Sequence, residues 1–152
     1  MSRAVFVDTS GWLAAASTRV NRHHEVAPAY DELVARRTRF LTTNLVVAEM
    51  HILIVREQGA DAGGRLLDAI HADPMYTVIA STRDLESAAT DRWLRPYRDH
   101  RFSLTDAVSF EVMRTERIEE ALALDHHFEI AGYRLLPAPA ARLPRKRPRP
   151  RK

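Results

Sequence analysis

The chain has 152 residues, 45% hydrophobic and 28% charged, enough apolar material for one domain with a real core, which excludes wholesale disorder. It has no cysteine, so disulfides, zinc–thiolate centres and thiol nucleophiles are excluded; its only lysines, Lys146 and Lys152, leave the body without a P-loop or Schiff-base lysine. Seven of the 23 basic side chains lie in residues 142–152, so residues 1–141 carry 16 against all 20 acids, a net of −4.

In chain order, Ala4 to Val7 reads as a short, fully buried strand ending at Asp8. Thr9 or Ser10 can cap a helix over 11–17. A second helical stretch covers 21–37, interrupted at Pro28, with His23 and His24 on a solvated polar face. A brief strand follows at 39–42, then a helix opened by Thr43 or Asn44 and running to Gln58, and a shorter one at 61–72. Residues 76–80 alternate like a strand and 82–95 return to helical spacing. Ser103 starts a helix ending near Thr115; 121–124 and 133–136 are the last two strands. Trp12 and Trp93 read as core or dimer-contact residues. Strands alternating with helices predict a three-layer α/β domain over 1–138 with a mainly parallel central sheet. Residues 139–152 form a Pro- and Arg-rich tail, expected to be disordered, either a solvated end or a phosphate-attracting arm.

No segment reads as a leader or a membrane span. Asp8 interrupts the apolar start after four residues, too few for a signal-peptide core, and no apolar run is long enough to cross a bilayer. The expected location is the cytoplasm.

Four carboxylates ask for an explanation. Asp8 follows a buried strand, where α/β folds bind ligands. Glu49 lies in an apolar run from Leu45 to Val55 and shares a face with Leu45, Ile52 and Leu53, which predicts burial. A buried carboxylate needs a cation, a donor or a proton, so either an arginine or a metal should face it. Ser103-Leu104-Thr105-Asp106 is a capping-box pattern, and Asp106 shares its face with Phe110 and Met113. Asp125 ends the apolar stretch at 121–124. His126 and His127 beside it read as surface or supporting histidines rather than ligands. Such acids repel one another unless cations hold them, and oxygen-only ligands suit Mg²⁺ or Mn²⁺. One or two such ions can activate water for attack on a phosphodiester, chemistry that needs neither lysine nor a serine nucleophile.

The blocks Val7-Asp8-Thr9-Ser10, Val47-Ala48-Glu49, Phe102 to Phe110 and Ala121 to Phe128, with Gly132 beyond, occur in an order that resembles the PIN-domain family. Within that family the chain resembles specifically the VapC-type toxin ribonucleases of toxin–antitoxin modules. The resemblance spans nearly all of 4–137. It implies an acidic metal site of Asp8 and Asp106, supported by Glu49 and Asp125, and lined by the hydroxyls of Thr9 and Ser103, with Asp99 as an accessory acid. It further implies a parallel sheet, Mg²⁺ (or Mn²⁺), endonucleolytic cleavage of RNA, a homodimer, and a small antitoxin protein that silences the site. Two alternatives stay open: an RNA-processing nuclease with no antitoxin, and a non-catalytic RNA-binding module. A haloacid-dehalogenase-type phosphatase is set aside, because Ser10 stands where its second acid belongs and the body lacks its lysine.

Overall fold

The computed structural model describes residues 3–139; the basic tail from residue 140 onward lies outside them. Five short strands, β1 (Ala4–Val7), β2 (Arg39–Thr43), β3 (Tyr76–Ile79), β4 (Glu120–Leu122) and β5 (Arg134–Leu136), form one all-parallel sheet in the order β3-β2-β1-β4-β5. Helices α1 (Thr9–Ala16), α2 (His23–Ala35), α3 (Asn44–Gln58), α4 (Ala60–Ala72), α5 (Arg83–Ala89), α6 (Leu104–Thr115) and α7 (His127–Ile130) link them. Val5, Phe6 and Val7 are inaccessible to solvent because β1 is the central strand and both its faces are covered.

The chain runs from β1 outward to β2 and β3, then returns to the other side of β1 for β4 and β5. The gap between the carboxyl ends of β1 and β4 is therefore the switch point, where open parallel sheets present a crevice. Helix α1 closes tightly on that gap. A Cβ at Gly11 would stand 2.1 Å from the Leu122 carbonyl oxygen, so only glycine permits this approach.

Several elements differ from their sequence reading. Asp8 itself, not Thr9 or Ser10, caps α1, accepting from the Ser10 amide at 3.1 Å. Helix α2 runs without a break through Pro28, which lies on its exposed side, where water can take the carbonyl that loses its partner. His23 is half-buried rather than on an open face, its Nδ1 2.7 Å from the Ala14 carbonyl, while His24 is exposed. The stretch 82–95 is not one regular helix, because α5 passes into a π-helical turn at Thr90–Leu94. Strand β4 ends two residues earlier than its apolar run, and the short helix α7 was hidden behind the paired histidines. Trp12 and Trp93 are both core residues.

The buried glutamate of the fold is Glu111, not Glu49. Its side chain is 2% exposed in the middle of α6, taking hydrogen bonds from Trp93 Nε1 (3.0 Å) and Arg114 Nη2 (2.7 Å), with Arg92 Nε at 3.2 Å. Burial pushes its carboxyl upward, but the bonds from Arg114 and Trp93 and the two guanidinium charges outweigh this and hold it below the ordinary carboxylate range. The same reasoning applied to Glu49, an acid within an apolar helical run, finds Glu111 between Phe110 and Val112.

Gly11→Ala is expected to destabilise the fold by about 2–4 kcal/mol, because the methyl group meets backbone that cannot rotate away. Gly64→Ala on α4, where nothing lies within 4 Å of the new methyl, should instead stabilise by roughly 0.5–1 kcal/mol through helix propensity. Urea unfolding of the two variants checks the opposite signs.

Candidate active site

Asp8 leaves the end of β1 and is 6% exposed. The backbone hands the strand pairing on to it: the Asp8 amide donates to the Leu122 carbonyl at 3.1 Å. Its Oδ2 accepts from the Ser10 amide and, at 2.5 Å, from the Ser10 hydroxyl. That hydroxyl also accepts from the Leu124 amide at 3.0 Å. Ser10 thus ties the Asp8 carboxylate to the segment that carries Asp125.

Asp106 is the third residue of α6. The capping box is complete: Ser103 Oγ accepts from the Asp106 amide and Asp106 Oδ2 accepts from the Ser103 amide, each at 3.0 Å. These reciprocal bonds satisfy two amides of the helix start and hold the carboxylate in one rotamer. Asp125 is held from the other side, accepting from the His127 amide at 2.9 Å through Oδ1. The His127 ring sits between the two acids, with Nδ1 3.0 Å from Asp106 Oδ2 and 3.4 Å from Asp125 Oδ2.

Glu49 corrects its sequence reading. It is exposed on α3, as are Ala48 and Ile52, the latter 49% accessible. The core side of α3 is Val46, Val47, Met50 and Ile54, so the apolar run extends past the buried face onto an open one. No described cation pairs with Glu49, which removes the buried Arg–Glu alternative. Its Oε2 instead accepts from the Thr9 hydroxyl at 2.9 Å, beside Asp8. Asp99 is well exposed, with His100 Nε2 3.9 Å from its carboxylate.

The charges at the crevice act on Asp8. Burial first, and then the neighbouring charges of Asp106 and Asp125, push its carboxyl up to about 6 against the opposing bonds from Ser10. Ser10 links Asp8 to the segment that carries Asp125, His127 bridges Asp125 and Asp106, and Thr9, next to Asp8, bonds Glu49, so the four acids lie around one crevice. Asp125, His126 and His127 also offer ligand atoms within 4.8 Å of one another. Sequence reasoning treated Ser10 only as a possible cap and His127 only as a supporting residue. The Ser10–Leu124 bond spans 114 residues and leaves no periodic signal.

An all-parallel β3-β2-β1-β4-β5 sheet with carboxylates gathered at its switch point is the architecture of a PIN-like nuclease domain. No protein-family model matches the chain. It is 33% identical over 129 residues to the 23S rRNA-specific endonuclease VapC20 of Mycobacterium tuberculosis, an alignment covering 85% of this chain and 95% of that protein. The crystal structure of VapC20, described as a toxin cleaving the sarcin–ricin loop, superposes with a TM-score of 0.73 at 34% identity, covering 85% of this chain and 95% of that one. FitAcB from Neisseria gonorrhoeae shares the fold, with a TM-score of 0.62 at 12% identity over 86% of this chain and 95% of that one. The chain belongs to the VapC-type toxin ribonucleases of the PIN-domain family.

The raised Asp8 carboxyl has a direction that can be measured. Its folded pKa of about 6 exceeds the ordinary 3.8, so the cation-free protein binds this proton more tightly folded than unfolded. The resulting stability is full below pH 4 and is lost as pH rises through 6, about 2–3 kcal/mol in all. Asp8→Asn should remove that loss, so urea titrations in chelator should show the variant gaining on the wild type between pH 4 and pH 7.

Proposed function

We propose that this chain is a divalent-metal-dependent endoribonuclease toxin that hydrolyses phosphodiesters in structured RNA, with Mg²⁺ (or Mn²⁺) as its ion. The observation that carries the reading is the buried Asp8 carboxylate facing the charges of Asp106 and Asp125 at the switch point. The donor set suits a hard cation: carboxylate oxygens dominate, the body has no thiol, and the carboxylates have no lysine among them. Asp8 and Asp106 would hold the ion, with Glu49 and Asp125 completing the site.

When bound, the cation neutralises phosphate charge and lowers the pKa of the attacking water. The chain's own residues keep the acids aimed. Ser10 fixes Asp8 to the Leu124 segment, the Ser103 box fixes Asp106, the His127 amide fixes Asp125, and Thr9 holds Glu49. Water adds to phosphorus as the 3′ oxygen leaves, giving a 5′-phosphate and a 3′-hydroxyl.

Membership of a toxin family supports two partners in the same reading, a small antitoxin that silences the site and a second copy of the chain in a homodimer. No described helix is long and apolar enough to cross a membrane, in keeping with action on cytoplasmic RNA. By likeness to VapC20, the first substrate to try is 23S rRNA and its sarcin–ricin loop.

The test is cleavage of total RNA by purified protein, followed by mapping of the ends. Cleavage should need Mg²⁺ or Mn²⁺, stop in chelator, and leave 5′-phosphates. Asp8→Asn and Asp106→Asn should each cost roughly 10²–10³-fold or more, and Glu49→Gln about tenfold. Full activity in chelator, or cyclic-phosphate ends, would overturn the mechanism. Expression alone should arrest growth, with relief by a co-encoded binding protein.

A further inference from the structure

A crevice lined by carboxylates, in a body of net charge −4, repels the polyanion it is meant to cut. Positive side chains close beside it would offset that repulsion and draw the strand in. Residues 95–102, the loop leading into α6, supply such charge. Arg98 and Arg101 are exposed and form no ion pair with any described residue, whereas Arg95 is taken by Asp91 at 2.9 Å. The loop's single acid, Asp99, lies beside His100.

The same loop carries rings that run without a gap to the site. His100 stacks on Phe102 with centroids 5.5 Å apart and 15° between planes. Phe102 meets the edge of His127 at 5.1 Å, and His127 meets His126 at 4.8 Å. At the other end Phe102 packs edge-on against buried Phe110 at 5.2 Å, which roots the row in the core. His126 ends the row in solvent, its side chain 72% exposed, next to Asp125. Phe102 directly precedes Ser103, so the capping box that fixes Asp106 also fixes where the loop enters.

Cations flanking stacked rings are the means by which proteins hold single-stranded nucleic acid. Paired RNA buries its base faces in the stack, and the narrow major groove of its A-form helix shuts out side chains. We propose that residues 95–102, with His126 and His127, form the RNA-docking edge of the site. Arg98 and Arg101 take backbone phosphates, and the ring row ending at His126 takes one unstacked base beside the phosphate to be cleaved. The inference rests on the ribonuclease reading for its ligand, but it concerns binding and is tested without cleavage.

The probe is an end-labelled RNA hairpin with 2-aminopurine in its unpaired loop, compared with a fully paired duplex of the same stem, both in chelator. The wild type should bind the hairpin more tightly and quench the 2-aminopurine emission. Arg98→Ala combined with Arg101→Ala should weaken hairpin binding about tenfold and lower the salt slope by about 1.4, some 0.7 for each lost phosphate contact. His126→Ala should weaken hairpin binding roughly tenfold, leave duplex binding unchanged and abolish the quench. His100→Ala should reduce the quench in part. These side chains are accessible, and thermal unfolding confirms that each variant is folded.

An unchanged affinity and salt slope in the double arginine variant would overturn the phosphate contacts. Unchanged quenching in both histidine variants, or equal affinity of the wild type for hairpin and duplex, would overturn the base platform. If Mg²⁺-dependent cleavage is found while these variants bind as the wild type does, this inference alone fails. If the variants behave as described but no cleavage occurs, the ribonuclease reading fails and the docking edge stands.

Discussion

Helix α1 lies so close to β4 that a side chain at position 11 would collide with the Leu122 carbonyl, and the site is built around this contact. It brings the first turn of α1 over the end of a strand more than a hundred residues distant, close enough for the Ser10 hydroxyl to receive the Leu124 amide and donate to Asp8. Asp8 and Asp125 come from opposite sides of the switch point. Without this contact, each would be an isolated acid at the end of a strand. With it, their separation is set by backbone, which deforms far less readily than a side chain rotates.

Two carboxylates of this protein are withdrawn from water, and they meet opposite surroundings. Glu111 has two guanidinium groups and an indole N–H about it, so its ionised form is favoured despite burial. Asp8 has a hydroxyl and an amide, but the charges near it are of its own sign. The first arrangement stabilises a folded body. The second is unfavourable until a cation or a proton arrives, so it is hard to explain as a contribution to stability. The contrast separates an acid that the fold neutralises from one that it leaves uncompensated, by the sign of the neighbouring charge rather than by burial.

The loop before α6 joins these themes. Its end is held by the capping box that orients Asp106, and its Phe102 ring leans on Phe110 from the same helix that buries Glu111. Helix α6 therefore anchors the core, presents an acid to the crevice and sets the path of the arginine-bearing segment.

Much of this was legible in the residues. The four acids stand beside short apolar runs or at helix starts, signals that are local and survive in one dimension, and the alternation of strands with helices implies a parallel sheet. The Ser103–Asp106 box was readable because its bonds close within four residues. What could not be read was anything that depends on which face of an element meets the rest of the chain. Glu49 sits in a run apolar enough to be buried, yet α3 turns it outward over the crevice, because the buried face is chosen by the sheet beneath it. Pro28 breaks no helix, because its lost bond faces solvent. Ser10 and His127 each bond an acid two residues away, but the contacts that join the site, Ser10 to Leu124, His127 to Asp106 and Gly11 to Leu122, span 21 to 114 residues and leave no local signal. The sequence by itself determined which residue types were available and the order and approximate place of most elements. Only the tertiary structure decided which of them share a site, because long-range contacts depend on strand order and packing distance, and neither is written in local spacing.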